Sequence, residues 1–146
     1  MSYRNPDIQK GATVLLAEDN DELRELLAFC FYQAGYNVTS CNNGISLLER
    51  LQAGIEGDST PIELVVTDIR MPGLTGLEVL ESYFDQPELP PIICITAFGD
   101  RQTHEQALRL RAKAVFDKPF DIDLLVQSAK QLCPPVKNNH ATRSLT

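Results

Sequence analysis

The chain has 146 residues, 43% of them hydrophobic, which excludes a disordered polymer and predicts one domain around a single core. A net charge of −7 argues against direct nucleic-acid binding, which needs a basic footprint, and reads as a solubility feature outside one acidic cluster. No apolar run is long enough to cross a bilayer.

The polar start, MSYRNPDIQK, has no apolar stretch of the secretory kind, so residues 1–9 read as an extension of a cytoplasmic protein. Ala12–Ala17 (ATVLLA) is a short apolar run that predicts a buried strand. Asn20 and Asp21 then supply cap chemistry, and Leu23, Leu26, Leu27, Cys30 and Ala34 follow at helical spacing until Gly35. Tyr36–Cys41 predicts a second strand, and Asn43–Ala53 a second helix with Ile45, Leu47, Leu48 and Leu51 inward. A polar loop around Gly57 and Pro61 leads to a third strand, Leu64–Thr67. Met71-Pro72-Gly73 forces a turn, and Thr75 can cap a third helix through Leu77, Leu80 and Tyr83. Pro87, Pro90 and Pro91 connect to an apolar fourth strand, Ile92–Ile95. Asp100 opens a more polar fourth helix to about Arg111, Ala114–Phe116 is a fifth strand, and Asp121 caps a last helix ending near Leu132. Residues 10–132 are thus the domain, and 133–146, which include two prolines, read as a disordered tail or linker stub.

Cys30, Cys41, Cys94 and Cys133 are scattered without a C-x-x-C pair and read as small buried hydrophobes in a reducing compartment. His104 and His140 are isolated and receive no catalytic role. Five strand–helix units with strands apolar on both faces imply an α/β fold with a parallel five-stranded sheet covered on both sides. Right-handed crossovers favour the flavodoxin-like (βα)5 three-layer sandwich, strand order 2-1-3-4-5. Ligands of such sheets bind at the carboxyl ends of the strands, near the switch point between strands 1 and 3.

Glu18 and Asp19 follow strand 1, and Asp68 follows strand 3. Each acid alone reads as an N-cap or a solvated loop residue. Neighbouring strands lie ~4.8 Å apart, however, so the three converge. Two unit charges 4 Å apart at an effective dielectric of 20 repel by roughly 4 kcal/mol, so the cluster calls for a cation. Mg²⁺ suits it, accepting one or two carboxylates and keeping exchangeable waters. Thr96 ends strand 4 and strand 5 leads into Lys118, which places a hydroxyl beside Asp68 and an ammonium whose flexible stem can close much of the remaining gap. A nucleophilic carboxylate, a metal, a hydroxyl donor and a cation suit phosphoryl transfer.

The ordered set Glu18-Asp19, Asp68-Ile69-Arg70-Met71-Pro72-Gly73-Leu74-Thr75-Gly76, Thr96-Ala97 and Lys118-Pro119-Phe120 resembles the receiver domain of response regulators, over about residues 10–132. The resemblance is to the stand-alone, chemotaxis-regulator-like kind, a phosphoacceptor switch of two-component or phosphorelay signalling rather than an enzyme acting on a separate substrate. It implies that Asp68 is the phosphoacceptor, that Asp19 ligates Mg²⁺ directly, that Glu18 acts through metal-bound water, and that the Arg70 carbonyl completes the set. It further implies that Thr96 and Lys118 bind the phosphoryl oxygens and that the Lys118-Pro119 peptide is cis. The implied partners are a sensor histidine kinase or histidine phosphotransfer protein and an effector at the face of helix 4, strand 5 and helix 5. A homodimer is compatible with the same face, and neither nucleic acid nor membrane is an implied partner.

Two positions depart from the family pattern. Val115 stands where an aromatic is frequent, with Phe116 expected on the opposite face, and Glu18 stands where Asp is frequent. Arg70 and Phe98 border the path of an attacking water without an acid or amide to orient it, which predicts slow loss of the phosphoryl group. A haloacid-dehalogenase-type phosphohydrolase would carry an acid where Arg70 stands. A flavodoxin-like electron carrier would not place Glu18-Asp19-Asn20-Asp21 against a phosphate. A phosphorylation-independent binding module is the third alternative. With no output region evident, the signal is expected to be read by another protein or by a further domain.

Overall fold

A computed structural model of the protein describes residues 2–3, 11–57, 60–97 and 101–136. Eleven elements follow one another: β1 (Ser2–Tyr3), β2 (Thr13–Ala17), α1 (Asp21–Gln33), β3 (Asn37–Cys41), α2 (Gly44–Glu56), β4 (Leu64–Asp68), α3 (Gly76–Ser82), β5 (Ile92–Ala97), α4 (Arg101–Arg109), β6 (Ala114–Lys118) and α5 (Ile122–Leu132). The sheet order is β1-β3-β2-β4-β5-β6. Strands β2 to β6 pair in parallel, which is the expected 2-1-3-4-5 arrangement. The additional β1 pairs antiparallel with the outer edge of β3. Two residues carry no periodicity, so nothing in the sequence announced it.

Alternation along the strands builds two cores. Val14 and Leu16 of β2, Leu64 and Val66 of β4, and Ile93 and Ile95 of β5 face Leu27, Phe31, Leu125 and Ala129 of α1 and α5. Leu15, Val65, Ile92 and Cys94 face the other way, onto Leu47, Leu51, Leu80 and Ala107. Burial on both faces is why these strands read as unbroken apolar runs.

Helix ends follow the predicted chemistry. Asn20 Oδ1 accepts from the Leu23 N–H at 2.9 Å, and Asn43 Oδ1 from the Ser46 N–H at 2.8 Å. Thr75 and Glu78 form a reciprocal capping box, and Asp121 caps α5. Asp100, expected to open the fourth helix, lies outside the described residues.

Two apolar side chains depart from expectation. Leu26 and Ile45 point outward at 48% and 51% exposure. The inner stripe of α1 runs through Leu27, Ala28 and Phe31, and a neighbour one residue away is turned about 100° from it. Ile45 instead lies over Gly73, 3.3 Å from where a Cβ would stand. Among the cysteines, all free, Cys41 and Cys94 are buried but Cys30 and Cys133 only partly so.

The segment after α5 begins as a docked strap. The Tyr36 hydroxyl donates to the Cys133 carbonyl at 2.6 Å, the Ala12 N–H donates to the Pro135 carbonyl at 2.7 Å, and Val136 bridges to Gly11. Residues 137–146, most of the expected tail, lie outside the described residues, as does His140.

Candidate phosphoryl-transfer site

Glu18, Asp19, Asp68, Arg70, Thr96 and Lys118, the residues assigned to the site from the sequence, arrive at one end of the sheet. Asp68 closes β4, register-paired with Ile95, while Thr96 pairs with Asp117 and Ala97 with Lys118. The carboxylate oxygens of Glu18, Asp19 and Asp68 lie within 4.8 Å of one another. Glu18 is fully buried, Asp68 is 3% exposed, and Asp19 is open to solvent.

Lys118 spans two strand spacings to reach them. Its Nζ donates to Asp68 Oδ2 at 2.5 Å and stands 3.1 Å from Glu18 Oε1. The other Asp68 oxygen, Oδ1, accepts from the Arg70 backbone N–H at 2.9 Å. Glu18 Oε2 accepts from the Asn20 N–H at 2.9 Å, which turns that carboxylate toward the start of α1. Among the described residues, the buried Thr96 Oγ1 has no hydrogen-bond partner, while Glu18 Oε1 has only the Lys118 ammonium beside it. A buried hydroxyl left unpaired costs free energy, so Thr96 awaits a ligand or a movement.

Charge follows burial. Removal from water pushes the Glu18 carboxyl up to about 7, and the neighbouring Asp68 charge adds to this against the Asn20 N–H and Lys118. Burial pulls the Lys118 ammonium down, but its bonds to Asp68 and Glu18 outweigh that and hold it above its ordinary range.

The local backbone explains the placement. Gly76 lies beside the turn after β4: a Cβ there would stand 2.8 Å from the Asp68 carbonyl, and its N–H donates to the Ile69 carbonyl at 2.7 Å. Gly44 lets α2 pack on the same turn, its Cβ position being 1.8 Å from the Leu74 carbonyl. The Lys118-Pro119 peptide is cis. Val115 and the half-buried Phe116 pack on opposite faces of the sheet. Phe98 lies outside the described residues.

Sequence reasoning missed Arg24, whose guanidinium donates to the Glu18 carbonyl at 2.9 Å. A cation one turn into the helix that follows an acidic pair was the available signal.

The acidic triad fits Mg²⁺. Its donors are hard oxygens, and ligand oxygens around that ion sit about 3–4 Å apart, slightly closer than the 4.8 Å span of the triad. The exposed Asp19 can turn to close the difference.

Comparison with known proteins agrees with this geometry. The response regulator receiver domain profile matches residues 14–130. The chain is 34% identical over 119 residues to "Response regulator RR06" of Streptococcus pneumoniae, covering 82% of this chain and 52% of that protein. It is also 34% identical over 120 residues to "Response regulator receiver protein CpdR" of Brucella abortus, covering 82% and 94%. The chain therefore spans about half of the first relative and nearly all of the second. The crystal structure of the receiver domain of NtrX from Brucella abortus superimposes with a TM-score of 0.69 at 30% identity, covering 82% of this chain and 96% of that one. Receiver domains bind Mg²⁺ and act as phosphoacceptor modules that interact with histidine kinases and phosphotransferases. With its fold, its acidic triad and a profile match over most of its length, the chain belongs to the response regulator receiver domain family.

Proposed function

We propose that this receiver accepts a phosphoryl group on Asp68 from a phosphohistidine of a sensor kinase or phosphotransfer protein. The observation that carries the reading is Asp68 itself, buried with its carboxylate close to those of Glu18 and Asp19, with Lys118 Nζ at 2.5 Å and the unpaired Thr96 hydroxyl nearby in the fold. An Asp68 carboxylate oxygen attacks phosphorus. The new O–P bond forms as the P–N bond breaks, and the imidazole leaves with a proton on its other ring nitrogen.

In this reading Asp19, Asp68 and the Arg70 carbonyl would hold Mg²⁺ directly, and Glu18 would act through water. Mg²⁺, when bound, neutralises charge on the phosphoryl oxygens. Lys118 leaves Oδ2 to pair with a phosphoryl oxygen, and the Thr96 hydroxyl gains the partner it lacks. The effector docks on the face of α4, β6 and α5, which also serves any homodimer.

Asp68→Asn should abolish Mg²⁺-dependent labelling by acetyl phosphate while the wild type is labelled and keeps its label. Undiminished labelling of the variant would move the acceptor elsewhere. Rapid turnover by the wild type would favour a phosphohydrolase, and absent labelling a pure binding module.

A further inference from the structure

Arg24 is the least expected neighbour of the acidic triad, a cation set behind a cluster that has to attract one. Its side chain is only 15% exposed. Nη1 donates to the Glu18 carbonyl at 2.9 Å, and Nη2 pairs with Asp21 Oδ1 at 2.7 Å. The Asp21 side chain is 80% exposed, so that ion pair is screened and weak, and does not by itself account for an ordered, mostly buried guanidinium.

The carbonyl that Arg24 holds belongs to the peptide joining Glu18 to Asp19. That peptide is a rigid plane, and its only soft motion is a concerted rotation about the bonds on either side. Such a rotation would swing the Asp19 carboxylate relative to Asp68. The strand ladder stops at this point: the Glu18 N–H still donates to the Cys41 carbonyl at 3.1 Å, but the Glu18 carbonyl lies past the end of β2. Without Arg24 that carbonyl would lose the guanidinium hydrogen bond, and the Glu18 side chain and N–H would be left to hold the strand end.

The anchor is itself fixed. The Arg24 N–H donates to the Asn20 carbonyl at 2.9 Å in the first turn of α1, and the Asn20 N–H donates to Glu18 Oε2 at 2.9 Å. Strand end, cap, helix and guanidinium thus form a closed circuit around the Glu18-Asp19 peptide.

We propose that Arg24 is a positioning residue for the metal site: its grip on the Glu18 carbonyl presets the Asp19 carboxylate for Mg²⁺. The inference rests on the reading of Asp19 as a direct ligand. Two effects of Arg24 oppose each other, since its charge repels Mg²⁺ and its hydrogen bond orders a ligand. Arg24→Lys separates them, because it keeps the charge and loses the planar fork that serves Glu18 and Asp21 together.

The test is Mg²⁺ titration by calorimetry on the full chain at 25 °C, with thermal unfolding of each variant. Arg24→Lys should weaken Mg²⁺ binding on the order of 10-fold, as changes to groups that orient metal ligands do. Asp21→Asn, which leaves the bond to Glu18 in place, should stay within about 2-fold. Arg24→Lys binding as the wild type does, or merely melting lower with unchanged affinity, would overturn the proposal and leave the ligand assignment standing. Loss in Arg24→Lys with an equal loss in Asp21→Asn would also overturn it, since the effect would then follow the Arg24–Asp21 pair and not the bond to the Glu18 carbonyl. A wild type that binds no Mg²⁺, or binds it equally well as Asp19→Asn, would remove the underlying reading and this inference with it.

Discussion

Lys118 occupies oxygens that a metal ion would use. Its ammonium lies on Asp68 Oδ2 and beside Glu18 Oε1, so it both stabilises the acidic cluster and competes with a cation for it. Lys118→Met should therefore split two measurements. Mg²⁺ affinity should rise roughly 5-fold, because part of a charge repulsion worth a few kcal/mol is relieved. Phosphorylation of Asp68 should fall sharply, because the phosphoryl oxygens lose their cation. The metal-free variant should melt well below the wild type, since Glu18 and Asp68 are left as buried like charges, and added Mg²⁺ should raise its melting temperature by more. Calorimetric titration and thermal unfolding with and without Mg²⁺ check all three. For the acids that follow β2, Asp19→Asn should weaken Mg²⁺ binding far more than Glu18→Gln. Equal losses in the same titration would show the two assigned roles to be wrong. Arg70→Asn should shorten the phosphoryl lifetime by giving an attacking water an orienting amide, measured as decay of the labelled protein.

At the scale of elements, two glycines show different reasons for the same residue. Gly44 opens α2 with ordinary helical backbone but no room: an added Cβ would meet the Leu74 carbonyl at 1.8 Å. Gly44→Ala must push α2 away from the turn after Asp68 and should cost about 3 kcal/mol, with weaker Mg²⁺ binding as the turn shifts. Gly57 has open space but sits at φ +81 after the end of α2. Gly57→Ala should cost only about 1 kcal/mol and leave the metal site unchanged. Chemical denaturation of both variants, with Mg²⁺ titration, separates crowding from backbone conformation. Arg111, at φ +76, shows a third balance: its guanidinium stacks 4.8 Å above the Phe84 ring, so strain in the backbone is offset by a cation–π contact.

Across the whole molecule, the acidic triad and the fastening of the chain sit at opposite ends of the sheet. Tyr36, with its ring edge-on to Phe31 at 5.6 Å, donates to the Cys133 carbonyl and fastens the end of α5 beneath β2. Tyr36→Phe should cost about 1–2 kcal/mol by denaturation and leave Mg²⁺ affinity intact. The β6 edge of the sheet is loosely held. Ala107 is the one buried residue of α4, and β6 is only half-buried along its length. Helix α4 touches β6 through the His104–Asp117 pair at 3.8 Å, and Asp117 is the register partner of Thr96. A movement of Thr96 toward a phosphoryl group thus has a direct path to α4, which few contacts restrain. Amide exchange with beryllofluoride, a phosphoryl mimic, should change along Arg101–Arg109; changes confined to Glu18–Asp21 and Asp68–Gly73 would rule out this route.

The sequence by itself determined the repeating strand–helix order, the caps at Asn20, Thr75 and Asp121, and the strand ends from which Asp68, Thr96 and Lys118 extend. Those are local matters of period, cap chemistry and the topology that parallel strands permit. It did not determine which helical apolar residues turn inward: Leu26 and Ile45 carry the right chemistry, but the angle at which each helix lies on the sheet leaves them outside. Nor did it show β1, the docking of Cys133–Val136, or the hold of Arg24 on the Glu18 carbonyl. Each is a hydrogen bond or bridge to a backbone group that every residue possesses, so only the path of the whole chain through space decides which partner it meets.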